Sequence, residues 1–151
     1  MVGSLVPFVT RRVLLLSPLI LAACQPGASN VPGDSNDHQP WSGIGENEVV
    51  HFLGTEPFWG GQADGTRLTY TTPENQAGET ISVSRFAGRG GLSFSGTLSG
   101  GEMTLAITPG ECSDGMSDTA YPFGVTLRIG DEVRQGCAWT ARNPRMGGER
   151  S

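Results

Sequence analysis

The sequence predicts an all-β domain, a small antiparallel barrel or sandwich of about eight strands, placed after a signal peptide and a flexible tether. Two observations predict this fold class. Short runs of alternating apolar and polar residues recur between residues 46 and 139, bounded by Gly, Pro, Asn or Asp. The 151 residues also include 23 Gly and 10 Pro, which disfavour helix interiors.

The first 23 residues have the parts of a lipoprotein signal peptide. A basic Arg pair precedes a nine-residue apolar run that contains Pro18, and small residues follow the run. This run is too short to span a bilayer, which takes about 20 residues. Leu21-Ala22-Ala23-Cys24 resembles the lipobox of bacterial lipoproteins. The resemblance implies cleavage before Cys24, a diacylglycerol thioether on that cysteine and a further acyl chain such as palmitate on its amino group, which together anchor firmly.

Residues 24–45 are predicted to be a lipidated, flexible tether, because almost nothing between Gln25 and Pro40 could be buried. In lipoproteins of diderm bacteria, Asp directly after the lipidated cysteine commonly signals retention in the inner membrane. Gln25 occupies that position here. By this resemblance we expect a lipid anchor in the cell envelope, with the periplasmic face of the outer membrane favoured.

The charge of the chain argues against nucleic acid as a partner. All ten basic residues are Arg and two of them precede Cys24, so the mature chain carries eight Arg, 15 acidic residues and a formal charge of 8 − 15 = −7. Such a surface repels nucleic acid and anionic headgroups. A cationic partner would suit it better.

Two hairpins are the clearest elements of the domain. Leu92–Leu98 alternates strictly and is followed, after a Ser-Gly-Gly turn, by Met103–Ile107. Phe123–Ile129 turns at Gly130-Asp131 into Val133–Trp139. The inward residues of the first hairpin are predicted to be Leu92, Phe94, Leu98, Met103, Leu105 and Ile107. One face of the second hairpin is shared by Phe123, Val125, Leu127 and Ile129.

The β-domain is predicted to cover residues 46–140 and to be followed by a disordered tail, residues 141–151. Its other strands show weaker alternation. The weaker strands are Glu48–Leu53, Phe58–Ala63, Arg67–Thr71 and Glu79–Phe86. Pro73–Gly78 is predicted to be an exposed turn. Gly88–Gly91 weakly resembles a phosphate-binding loop but precedes a strand and not a helix, so it is also predicted to be a turn. The pattern leaves barrel and sandwich open, although a closed barrel would remove aggregation-prone edge strands.

Cys112 and Cys137 are predicted to form a disulfide. With Cys24 lipidated, these two cysteines remain in an oxidising compartment. A catalytic or metal-binding pair is the alternative, but neither cysteine has C-x-x-C spacing or a His close in sequence. Closing a loop of this size should stabilise the domain by roughly 3 to 4 kcal/mol on the chain-entropy model.

Two stretches are the least generic in the chain, G-T-E-P-F-W at Gly54–Trp59 and C-S-D-G-M-S-D-x-x-Y-P-F at Cys112–Phe123. With Leu68–Asn75 and Gly136–Ala138 they are similar to a family of uncharacterised bacterial envelope lipoproteins that carry both motifs. The resemblance implies an envelope β-domain with one disulfide and carries over no activity. Similar domains are associated with META-type and lysozyme-inhibitor-like envelope modules.

The first motif offers one candidate binding pair. Phe58 and Trp59 should point to opposite faces of a strand, one into the core and one partly exposed. Glu56 either is buried and accepts backbone N–H bonds, or lines a small-molecule or glycan pocket together with an exposed Trp59.

The second motif offers a candidate recognition surface. Oxygens of the loop Ser113–Asp118 could cap backbone amides or gather around Ca²⁺. The loop lacks the D-x-D-x-D-G order of an EF-hand, so capping is favoured. Because the loop is polar and constrained, Asp114, Asp118 and the adjacent Tyr121 are the best candidates for contacts with a partner.

The chain contains no recognisable catalytic set and no predicted cofactor or metal site. Its two histidines are His38, in the tether, and His51, in a predicted strand. The leading hypothesis is therefore a non-enzymatic lipoprotein whose domain binds an envelope protein or glycan, with a lysozyme-inhibitor-like role as one form. The alternatives are an envelope-polymer hydrolase that uses Glu56 with Asp114 or Asp118, and a structural or stress-related lipoprotein without a discrete ligand. The oligomeric state stays open.

Overall fold

A computed structural model describes Gly3 and residues 39–147. Cys24, the predicted signal peptide and most of the predicted tether lie outside the described residues. Residues 39–147 contain nine strands, and no helix in this part of the chain is long and apolar enough to cross a membrane. The strands are β1 (Val50–Thr55), β2 (Phe58–Asp64), β3 (Arg67–Thr71), β4 (Glu79–Ser82), β5 (Ser84–Ala87), β6 (Leu92–Leu98), β7 (Gly101–Ser113), β8 (Ala120–Ile129) and β9 (Glu132–Thr140).

The nine strands form one antiparallel sheet in the order β4-β3-β2-β1-β9-β8-β7-β6-β5. The sheet curls into a nearly closed barrel, so that β4 at one end of this order contacts β6 near the other end. The predicted all-β class is confirmed, and the open choice between barrel and sandwich is settled for the barrel. The two hairpins also form as predicted, β6 with β7 and β8 with β9.

The barrel closes through a segment that the sequence predicts as one strand, Glu79–Phe86. The structure divides it at Val83 into β4, which pairs with β3, and β5, which pairs with β6. One continuous stretch of chain therefore joins the two edges of the sheet. Gly96 on β6 permits the close approach, since a Cβ there would lie 2.8 Å from the carbonyl oxygen of Ser82.

The barrel interior is a packed apolar core. The predicted inward residues of the first hairpin are all buried. Trp59 is also inside, with 4% of its surface exposed, whereas Phe58 is 54% exposed, as the alternation of a strand requires. Two glycines make room for the indole: a Cβ would lie 2.1 Å from its Nε1 at Gly54 and 2.8 Å from its Cζ2 at Gly136.

One end of the barrel is closed by residues that the sequence assigned to the tether. Trp41 packs edge-on against Phe123 at a centroid distance of 5.9 Å, and Ile44 is buried in the core. Arg85 holds this segment by donating to the carbonyl oxygen of Ile44 at 2.9 Å. The predicted domain start at residue 46 is therefore too late, because these apolar side chains are needed to cover the barrel end.

The predicted disordered tail is likewise wrong for residues 141–147. Met146 and Ala120 exchange two backbone hydrogen bonds of 2.8 Å, and Arg142 forms an ion pair of 3.0 Å with Glu48. The segment therefore lies against the barrel. The prediction for residues 148–151 concerns positions outside the described ranges.

Candidate functional site

A groove of about 710 Å³ runs along the outer face of the barrel. Its walls come from β1, β7, β8, β9 and the loop between β7 and β8. Among the described residues, the charged ones that line it are Glu56, Glu111, Asp114 and Arg134. We refer to this feature as the outer groove.

The predicted disulfide between Cys112 and Cys137 is confirmed, and it shapes the outer groove. Cys112 lies on β7 and Cys137 on β9, with β8 between them. Strands two apart in a flat sheet are separated by roughly 9.5 Å, yet the two Cα atoms are 5.7 Å apart. The register of β7 against β8 shifts between Pro109 and Cys112. After this bulge β7 still pairs with β8, but the disulfide draws its final part towards β9, and that part forms one wall of the groove.

Asp114 organises the loop that rims the groove. Its carboxylate accepts hydrogen bonds from the backbone N–H of Met116 and of Ser117 at 2.9 Å each, and from the Ser117 hydroxyl at 2.8 Å. The predicted backbone capping is therefore confirmed. These backbone bonds lower the pKa of Asp114 to about 2. Asp114 is thus anionic over the physiological range and poorly matched to general acid work.

Glu56 also lines the outer groove, because the neighbouring Thr55 at the end of β1 is hydrogen-bonded to the loop that carries Asp114. The hydroxyl of Thr55 donates to the backbone carbonyl oxygen of Asp114 at 3.0 Å. Glu56 itself is exposed, so the expectation of a buried, backbone-capping carboxylate is wrong. The residue follows the end of β1 in a turn at the barrel rim, where no strand covers it.

The remaining predicted binding residues do not join this surface. Trp59 is buried in the core, so the pocket that required Glu56 beside an exposed Trp59 is not formed. Tyr121 is 3% exposed; its ring lies 5.6 Å from that of Trp139 and its hydroxyl donates to Asp114 at 3.1 Å. Asp118 is exposed outside the groove lining. The structure therefore brings together Glu56 and Asp114.

The charge that faces the outer groove is negative. Arg134 belongs to the lining, but its guanidinium donates from Nε to Glu132 at 2.8 Å and from a terminal nitrogen to the Tyr70 hydroxyl. Its charge is therefore engaged at the barrel mouth. Among the described residues, no ion pair involves Glu56, Glu111 or Asp114. Arg145 approaches Asp114 indirectly, through a hydrogen bond to Tyr121, whose hydroxyl donates to Asp114.

The groove also exposes apolar side chains that the sequence analysis did not select. Met116 is 68% exposed and Val133 is 57% exposed, and both belong to the lining. No signal in the sequence pointed to Val133, because Val133, Cys137 and Trp139 share one face of their strand and that face reads as the more apolar one. The structure instead turns the other face inward, with Ala138 in the core. Glu111 gave no such signal, since the bulge before Cys112 interrupts the alternation.

Comparisons with protein-family models, with curated proteins and with solved structures found no match. The resemblance to envelope lipoproteins therefore stays a prediction from the sequence motifs. Within residues 39–147, no group of three or more His, Cys, Asp and Glu side chains could hold a metal ion. His51 stacks on Trp139 at 5.4 Å, so it is a packed surface histidine on β1.

Proposed function

We propose that this protein is a lipid-anchored envelope lipoprotein whose β-domain binds a cationic protein segment in the outer groove. The observation that carries the proposal is that three carboxylates, Glu56, Glu111 and Asp114, line the groove, whereas the arginine of its lining, Arg134, is already paired with Glu132. Asp114 keeps its charge at any physiological pH, because loop hydrogen bonds hold its pKa low.

The partner chemistry follows from the groove lining. Lys or Arg side chains of the partner would lie between the carboxylates, and an apolar side chain would pack on Met116 and Val133. Exposed ion pairs contribute little individually. Their main effects are a faster association and selection against anionic partners, and the charge of −7 on the mature chain strengthens both.

A lysozyme is the partner class that fits an envelope location, because it is cationic and acts on envelope polymer. The lipid on Cys24, and the position on the periplasmic face of the outer membrane, belong to the same proposal and rest on the lipobox and on Gln25. The hydrolase hypothesis is less well supported. Its two carboxylates share the groove, but the Asp114 carboxylate is occupied by loop hydrogen bonds and remains ionised.

Calorimetric titration tests the proposal. The chain from residue 24, carrying Cys24→Ser, would be titrated with a cationic lysozyme at low and high salt. We expect saturable binding that weakens as salt rises. The double variant Glu56→Gln/Glu111→Gln should bind about 2- to 30-fold more weakly, the range for losing two exposed ion pairs. Glu74→Gln is the matched control, since Glu74 is exposed in the turn after β3, away from the groove.

Two results would overturn the proposal. One is the absence of lysozyme binding at low salt, which would favour a structural lipoprotein without a discrete ligand. The other is a loss of binding free energy in Glu74→Gln that equals the loss per removed charge in the double variant, which would mean that the interaction follows net charge and not the groove. Inhibition of lysozyme turnover, measured in parallel, shows whether the bound partner is also blocked.

A further inference from the structure

The two ends of the barrel differ. Trp41 and Ile44 close one end, whereas the other end holds a cavity of about 270 Å³ between the end of β3, the start of β4 and the two hairpin turns. We refer to it as the mouth cavity. Its lining includes Tyr70, Glu79, Leu98, Ile129, Glu132 and Arg134. Mouths of β-barrels are frequent ligand sites in proteins.

The mouth cavity has an apolar side. Leu98 is buried in the core, and Ile129 packs against the core. The ring of Tyr70 packs against the ring of Trp59, with the ring centroids 6.4 Å apart. These groups present carbon surface that a ring-shaped ligand can cover without displacing a protein side chain.

The rim of the cavity is polar, and hydrogen bonds within the protein already hold its side chains in position. Ser99 donates to both oxygens of Glu79, from its backbone N–H at 2.7 Å and from its hydroxyl at 2.9 Å. Each carboxylate oxygen can accept a second hydrogen bond. The bonds from Arg134 to Glu132 and Tyr70 use two of the five N–H groups of its guanidinium. The rim can therefore accept hydrogen bonds at Glu79 and donate them at Arg134.

Charge and volume restrict the ligand. The ion pair of Glu132 with Arg134 cancels two charges, which leaves one exposed carboxylate, Glu79. An exposed carboxylate disfavours an anionic ligand and adds little affinity for a cation. The volume lies just below the range of about 300–1,000 Å³ that is typical of sites for drug-sized molecules. The cavity therefore suits a single neutral ring with several hydroxyl groups.

We propose that the mouth cavity binds one neutral sugar ring, either a free monosaccharide or the terminal residue of a glycan. The apolar face of the ring packs against Tyr70 and Leu98. Its hydroxyl groups donate to Glu79 and accept from Arg134. Arg134 borders both this site and the outer groove, but none of the three groove carboxylates lines the cavity, so the test of the sugar site does not depend on the cationic partner.

The three tryptophans of the chain supply the measurement. Trp59 lies behind the wall of the mouth cavity, Trp41 at the closed end and Trp139 on the outer face, stacked on His51. In proton–nitrogen correlation spectra of the chain from residue 24 with Cys24→Ser, we expect N-acetylglucosamine to shift the indole signal of Trp59 and the backbone amide of Ser99. The indole signals of Trp41 and Trp139 should stay in position.

The β-1,4-linked trimer of N-acetylglucosamine separates the two sources of the sugar. The monosaccharide tests a free sugar and the trimer tests a glycan end. If the ligand is the end of a glycan, both probes shift the same signals, with dissociation constants that differ by no more than a few-fold, because one ring fills the cavity. If it is a free sugar, only the monosaccharide shifts them. A trimer that bound far more tightly than the monosaccharide would contradict the single-ring site.

Variants test the named contacts. Glu79→Gln should raise the dissociation constant about 2- to 10-fold, the effect of weakening one hydrogen bond. Tyr70→Leu, which removes the aromatic face on which the sugar packs, should raise it by about 2- to 10-fold as well. Asp64→Asn is the control, because Asp64 ends β2 at the opposite end of the barrel and pairs with exposed Arg67. The proposal is overturned if sugars at tens of millimolar leave Trp59 unshifted, if the shifts centre on Trp41 or Trp139, or if both mouth variants bind like Asp64→Asn.

Discussion

The Cα atoms of Cys112 and Cys137 lie 5.7 Å apart although a complete strand, β8, separates the strands that carry them. The disulfide therefore does more than close a loop. It holds the end of β7 close to β9, and this end carries the loop in which Asp114 rims the outer groove.

Removing the disulfide should lower stability and open the groove. We expect Cys112→Ser/Cys137→Ser to lose about 3 to 4 kcal/mol of unfolding free energy, because the bridge spans 25 residues. Urea denaturation followed by circular dichroism measures the loss. Lysozyme binding should weaken more than sugar binding, since the mouth cavity does not contain the bridge. An unchanged denaturation midpoint would contradict the expected contribution.

Filling the space beside Trp59 should also destabilise the domain. A Cβ at Gly136 would lie 2.1 Å from the backbone oxygen of Leu53 as well as 2.8 Å from the indole. We expect Gly136→Ala to cost about 1 to 3 kcal/mol, typical of an overpacked core. Gly90→Ala is the control, because nothing lies within 4 Å of the corresponding Cβ. Equal thermal midpoints for the two variants would show that β1 and β9 separate easily.

The loop capped by Asp114 should give the domain a distinct acid dependence. The pKa of Asp114 is about 2 in the folded protein, against 3.8 for an unperturbed Asp side chain. Because folding lowers this pKa, the stabilisation is complete above about pH 4 and is lost as pH falls towards 2. Thermal midpoints measured between pH 2 and 6 should fall less steeply for Asp114→Asn than for the unchanged chain. If the thermal midpoints of the two proteins fell equally steeply with pH, the Asp114 carboxylate would be excluded as the source of the acid dependence.

The anchor has a direct test in cells. Cys24→Ser removes the thiol that the lipobox resemblance assigns to diacylglycerol. We expect the variant in the soluble fraction and the unchanged protein in the membrane fraction, because one or more acyl chains are missing from the variant. Immunoblots of the separated fractions measure this. Membrane association that persists in the variant would refute lipidation at Cys24 as the anchor.

Much of the fold could be predicted because local signals were strong. Strict alternation in Leu92–Leu98 and in Phe123–Ile129 identified both hairpins and their buried faces. Cysteine number identified the disulfide. The candidate site was predicted less well: Glu56 and Asp114 lie on one groove, whereas Trp59 is in the core. Alternation requires Phe58 and Trp59 to face opposite sides, but it does not say which side is the interior.

The sequence by itself determined the all-β class, the hairpins, the pair of cysteines and the acidic charge, because each of these follows from local spacing or composition. Only the tertiary structure decided that the strand Glu79–Phe86 splits at Val83 to close a barrel. Tertiary structure also decided that Trp41 and Ile44 cover one end of that barrel and that Glu111 joins the outer groove. The physical reason is that periodicity reports which residues share a face of one strand. Which strands meet, and which faces then enclose a cavity, depends on contacts between residues far apart in the chain.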